Sequence, residues 1–127
     1  MNFKDFIQDA QLLQLLCEAN LLEATDIQQL LFPAMAAGQD CIAISPTGTG
    51  KTEAFVIPIL AQQLLGRKST TANTLILCPT RELALQTQQR IQRLAQPLGI
   101  GSIAIYGGNT YAQQADELAL NPQLIIA

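Results

Sequence analysis

Four short apolar runs, at residues 40–44 (DCIAI), 75–78 (LILC), 102–106 and 124–127 (LIIA), alternate with stretches of helical periodicity. A strand that is apolar on both faces must be buried on both, which antiparallel surface sheets do not do. Strands alternating with helices of about a dozen residues require parallel pairing and right-handed crossovers. The pattern therefore predicts an α/β fold: a parallel sheet covered by helices on both faces. Two helices precede the first strand. One spans 6–18 on Ile7, Leu12, Leu13, Leu15 and Leu16, and Asn20 interrupts it. The next spans 26–37, with Thr25 and Gln28 as a capping box and Gly38 as its stop. Helices are predicted over 51–65, where Pro58 should bend or break the rod, over 81–95 on the ridge Leu83, Thr87, Ile91 and Leu94, and from Thr110–Gln113 to about Leu120. The polar stretch 66–73 reads as a loop.

Composition narrows the function. The chain has 127 residues, 49% hydrophobic and 13% charged, enough for one folded domain with a core and unlike a disordered chain. Seven Lys+Arg against ten Asp+Glu give a net charge of −3. That argues against a nonspecific nucleic-acid tail, though not against a local phosphate-binding face. With no His, a His-based triad or metal site is excluded. Cys17, Cys41 and Cys78 are odd in number and far apart, as expected of reduced thiols in a cytoplasmic protein. No apolar run approaches the roughly 20 residues of a membrane helix, and no secretory signal opens the chain. Six aromatics, none clustered and none of them Trp, argue against a base-stacking platform. The chain stops inside an apolar strand with no turn signal after it, which reads as part of a longer protein.

Ser45-Pro46-Thr47-Gly48-Thr49-Gly50-Lys51-Thr52 joins the first predicted strand to a helix. That is the setting of a phosphate-binding loop. Glycines let backbone N–H groups turn toward phosphate oxygens, and the helix adds its positive end. Lys51 would reach the β- and γ-phosphates of a nucleoside triphosphate, and Thr52 would hold Mg²⁺. The strict pattern asks for Gly where this chain has Ser45.

With that loop in place, the chain resembles the DEAD-box RNA helicases. Thr47 to Thr52 resembles their first motif. Pro79-Thr80-Arg81-Glu82-Leu83-Ala84 matches their PTRELA motif, and Gly107-Gly108 their glycine doublet. Thr25-Asp26-Ile27-Gln28 resembles the Q motif, with Phe3 at the upstream aromatic position. The resemblance covers the whole chain. It implies a RecA-like P-loop NTPase lobe, incomplete here, with Q-motif helices over 1–38 and a P-loop α/β core over 39–127. It implies ATP and Mg²⁺ as cofactors, Phe3 and Gln28 on the adenine, residues 45–52 on the phosphates with Lys51 and Thr52 as the catalytic pair, and Pro79, Thr80, Arg81, Gly107 and Gly108 on an RNA backbone read without regard to sequence. The plainer readings are that Gln28 and Thr80 only cap helices, that Phe3 is a core aromatic, and that Gly107-Gly108 is a turn.

The chain departs from the family pattern at Asn20 (usually Gly), Leu21 (usually an adenine-stacking aromatic), Ala24 and Asp26. The acidic motif and the second RecA-like lobe with its arginine fingers do not occur in it. An arginine finger alone contributes about 10³–10⁵ in rate, so the chain by itself should not turn over ATP usefully. Two other readings compete: a superfamily 2 DNA translocase lobe, and a non-catalytic nucleotide-binding module that dimerises through an open sheet edge.

Overall fold

The computed structural model describes residues 1–65 and 73–127, so most of the expected 66–73 loop lies outside the described residues. The chain divides into two compact units, Met1–Gly66 and Arg67–Ala127.

The first unit is helical. A 3-10 turn at Phe3–Asp5 precedes α1 (Ala10–Glu18), α2 (Asp26–Ala36) and α3 (Lys51–Leu65). The periodicity suggested one helix from residue 6, but two caps divide the segment. Asn2 Oδ1 accepts from the Lys4 N–H at 3.0 Å, and Asp9 Oδ1 accepts from the Leu12 N–H at 2.8 Å. Each side chain satisfies a donor that a helix start leaves open. At the end of α1, Asn20 adopts φ 57°. Its N–H reaches Cys17 O at 3.0 Å, and the Leu21 N–H reaches Leu16 O at 2.7 Å. This is a left-handed cap of the Schellman type, which Asn tolerates after Gly.

The N-terminal segment lies antiparallel to residues 22–24 through Phe3 N–H to Leu22 O (2.9 Å) and Ala24 N–H to Met1 O (3.1 Å). That pairing drives Phe3 inward, where its ring centroid stands 6.2 Å from Phe32, and Phe6 stands 5.2 Å from the same ring. Helix α2 packs along α3. Pro58 does not break α3, which runs unbroken to Leu65. Its ring is buried and, with Phe6 and Phe32, lines an apolar cavity of about 200 Å³.

The run 40–44 is not a strand. It carries no regular secondary structure, and Ile42 and Ile44 are 93% and 88% exposed. An apolar run forms a buried strand only beside ladder partners, and the first unit by itself holds no strand among its described residues.

The second unit holds a parallel sheet of β1 (Thr74–Ile76), β2 (Ser102–Ala104) and β3 (Leu124–Ile126), in the order β1-β3-β2. Leu75 and Ile103 both register on Ile125. Bonds past the strand ends, from Cys78 N–H to Ala127 O and Ile105 N–H to Ile126 O (both 2.7 Å), carry the ladder toward the lengths read from sequence. Helix α4 (Arg81–Ala95) covers β2 and β3, burying Ala84, Thr87, Ile91 and Leu94. Helix α5 (Tyr111–Leu118) joins β2 to β3. Because the strands are parallel, the segments leaving β1 and β2 emerge at the same end of the sheet, two strand spacings apart.

Candidate functional site

In the first unit, the loop 45–50 is built around its own hydroxyls. Thr49 Oγ1 donates to Pro46 O at 2.7 Å and is hydrogen-bonded to Ser45 Oγ. Gly48 and Gly50 adopt φ 83° and 81°, the left-handed region that an L side chain seldom enters. Helix α3 begins at Lys51, so the N-terminal end of the helix directly follows the loop. Lys51 is exposed, and its Nζ donates to Ser45 O at 2.8 Å. The ammonium is thus folded over the loop, on a carbonyl that phosphate oxygens can replace. Ser45, where the strict pattern has Gly, fits because its carbonyl and hydroxyl are both used inside the loop. Thr52 follows on the first turn of α3. Among the described residues no three His, Cys, Asp or Glu side chains gather as a metal site. A magnesium ion here would be held by the Thr52 hydroxyl and by the nucleotide's own phosphates, where it would neutralise charge on the transferred group.

Gln28 is 3% exposed and spends both ends of its amide. Oε1 accepts from the Thr25 N–H at 3.0 Å, the capping-box half expected from sequence. Nε2 donates to Gly50 O at 3.1 Å, a bond across 22 residues that the sequence did not announce. Helix α2 is therefore latched to the loop 45–50. The two bonds use one N–H of Nε2 and one lone pair of Oε1, so a second N–H and a second lone pair are what the amide could still offer an adenine edge. Phe3 is 1% exposed with its ring against Phe32, and its N–H bond to Leu22 O ties it to residues 22–24.

In the second unit, Thr80 caps α4 by accepting from the Leu83 N–H at 3.1 Å, which leaves its own O–H free to donate. Pro79, Thr80 and Arg81 are exposed at the helix start, as are Gly107 and Gly108. The Arg81 guanidinium lies over the glycine doublet. A Cβ on Gly107 would stand 3.3 Å from Nη2, and one on Gly108 2.8 Å from Nη1. Gly108 also adopts φ 96°. Two motifs 26 residues apart in sequence thus form one surface of guanidinium, hydroxyl and bare backbone at a helix N-terminus, which suits phosphate oxygens.

The model of the DEAD/DEAH box helicase family matches residues 25–127. The chain belongs to this helicase family. It is 34% identical to the ATP-dependent RNA helicase CshA of Listeria monocytogenes over 98% of this chain and 24% of that protein. It is 40% identical to the human probable ATP-dependent RNA helicase DDX49 over 87% of this chain and 22% of that protein. Prp28 from Chaetomium thermophilum, an RNA helicase solved bound to ADP, superposes with a TM-score of 0.82 at 33% identity, covering 94% of this chain and 30% of that one. A hypothetical ATP-dependent RNA helicase from Sulfolobus tokodaii gives the same TM-score at 27% identity, covering 94% and 34%. The parallel sheet and its helices are those of a RecA-like helicase lobe, and the chain spans about a quarter of the length of the curated relatives it matches. No helix among the described residues is long and apolar enough to cross a membrane.

Proposed function

We propose that this helicase chain binds ATP through residues 45–52 and Gln28, and an RNA backbone through Pro79, Thr80, Arg81, Gly107 and Gly108. It serves as the N-terminal part of an ATP-dependent RNA helicase that closes two RecA-like lobes on a single strand. The observation that carries the reading is the Gln28 amide bonded to Gly50 O, which ties a purine-reading side chain to the phosphate loop. Relatives named as ATP-dependent RNA helicases, and a solved relative holding ADP, support it. The Lys51 ammonium would exchange Ser45 O for the β- and γ-phosphates, and the Thr52 hydroxyl would hold the magnesium, which would neutralise phosphate charge. Turnover belongs to the longer protein, which supplies the acidic motif and the second lobe.

Calorimetric titration of the chain with ATP and with GTP, in magnesium, tests this. ATP is expected to bind more tightly than GTP, Lys51→Ala to abolish binding, and no phosphate release to exceed background. Equal affinity for the two nucleotides, or binding unchanged in Lys51→Ala, overturns it.

A further inference from the structure

Beside the Arg81–glycine surface lies a groove of about 340 Å³ that the functional reading leaves unused. Ile105, Tyr106 and Gly107 form one wall, and Tyr111, Gln114 and Leu118 of α5 form the other. Composition alone argued against a stacking platform, yet the fold brings two of the six aromatics to one groove. Tyr111 opens α5 behind its Thr110 cap and is 90% exposed, so its ring is accessible from solvent at the edge of the groove. Leu118, 40% exposed, and Ile105 make the groove partly apolar. Gln114 is fixed at one end, its Oε1 accepting from the Tyr106 N–H at 3.2 Å, while its Nε2 donors bond no described residue. The volume is within the roughly 300–1,000 Å³ of small-ligand sites. The groove is continuous with the candidate backbone site, because Gly107 belongs to both.

We propose that this groove receives one nucleobase of the RNA strand whose phosphates lie on Arg81 and the glycine doublet. The base stacks on Tyr111, and the Gln114 amide donates to a carbonyl oxygen or ring nitrogen at its edge. The inference rests on the RNA reading of Arg81, Gly107 and Gly108. An exposed ring accepts any base face, and one amide at its edge adds a preference without a code. The groove gives an otherwise backbone-only contact a bias toward strands with an unstacked base at this point.

The chain offers its own probe. It has two tyrosines, Tyr106 and Tyr111, and no tryptophan, so its ultraviolet emission comes from this groove. The full chain is titrated with a uridine oligomer, with an abasic ribose–phosphate oligomer of equal length, and with uridine monophosphate. The uridine oligomer is expected to quench the emission, the abasic strand to bind without quenching, and the mononucleotide to quench only at far higher concentration. Tyr111→Ala should weaken the uridine oligomer about tenfold and leave the abasic strand unchanged, whereas Tyr111→Phe keeps the affinity. Arg81→Ala should weaken both strands. Unquenched emission, or a Tyr111→Ala chain that holds both strands as before, overturns the base subsite while the effect of Arg81→Ala keeps the RNA reading standing. A mononucleotide that quenches as well as the oligomer makes the groove a free-nucleotide site and also overturns the proposal. If Arg81→Ala changes neither strand, the backbone reading fails first. Because Tyr111 is exposed, its replacement removes no core packing.

Discussion

Gln28 Nε2 donates to Gly50 O at 3.1 Å, joining the first turn of α2 to the residue just before α3. A Cβ on the glycine would stand 2.6 Å from Nε2, so the end of the Gln28 side chain would have to shift to admit one. With φ at 81°, Gly50 is held by its backbone conformation. Gly50→Ala is therefore expected to push Gln28 off the loop, lower the melting temperature of the chain and abolish ATP binding. A variant that melts and binds ATP like the parent would show that the latch does not form.

Gln28 can be separated into its two ends. Gln28→Glu keeps an acceptor for the Thr25 N–H and turns the other end into a second acceptor facing Gly50 O. Gln28→Ala leaves both partners unpaired in a site that is 3% exposed, which costs about 1–3 kcal/mol. The expected order of thermal stability is parent, then either variant, and both should lose the preference for ATP over GTP. Thermal melts and competition binding check this. Retained ATP selectivity in Gln28→Glu would move the adenine contact to another residue.

Lys51 and Gln28 should respond in opposite ways. Lys51 is exposed and its one bond is to a surface carbonyl, so Lys51→Ala should change stability by less than about 0.5 kcal/mol. ATP binding should disappear all the same. The pairing of an unchanged melt with lost binding marks a residue placed for a ligand and not for the fold.

Leu21 sits where the family carries an adenine-stacking aromatic. It is half-buried, and its backbone is fixed by the bond to Leu16 O that closes the α1 cap. Leu21→Phe therefore alters the side chain on a backbone already held in position. Base stacking is worth roughly 1–3 kcal/mol, so ATP affinity should rise at least fivefold in calorimetry. An unchanged affinity would show that the stacking position is elsewhere.

How much of this was readable in advance depended on the range of the interactions. Helices α3 and α4 begin and end where the sequence placed them, because the Lys51 loop junction and the Thr80 cap are local signals. The capping half of Gln28 was legible for the same reason, across three residues. Its bond to Gly50 spans 22 residues and leaves no periodic trace. The same applies to Arg81 over Gly107-Gly108, which required the parallel order β1-β3-β2. Tyr106 and Tyr111 were present in the sequence but could be brought together only by the turn into α5. Residues 40–44 mark the opposite limit. An apolar run records a tendency to be buried, and says nothing about whether a neighbouring strand is available.

That last segment yields a prediction about association. Ile42 and Ile44 are 93% and 88% exposed, and Leu75 and Leu77, on and just beyond the edge strand β1, are 62% and 74% exposed. Each full burial of an Ile or Leu side chain is worth about 1.5–3 kcal/mol, and an apolar segment without ladder partners offers backbone donors as well. The isolated chain should therefore self-associate as its concentration rises, with a light-scattering mass moving from one chain toward two. Lysines at two of these positions (Ile42→Lys with Ile44→Lys) should hold it at the mass of one chain, since charge on an unpaired strand opposes edge-to-edge pairing. If the parent chain stays monomeric throughout, those side chains are covered in solution by the chain itself. If the double variant associates as strongly as the parent, the contact runs through β1 and its exposed leucines, and Leu75→Lys becomes the variant that separates the two chains.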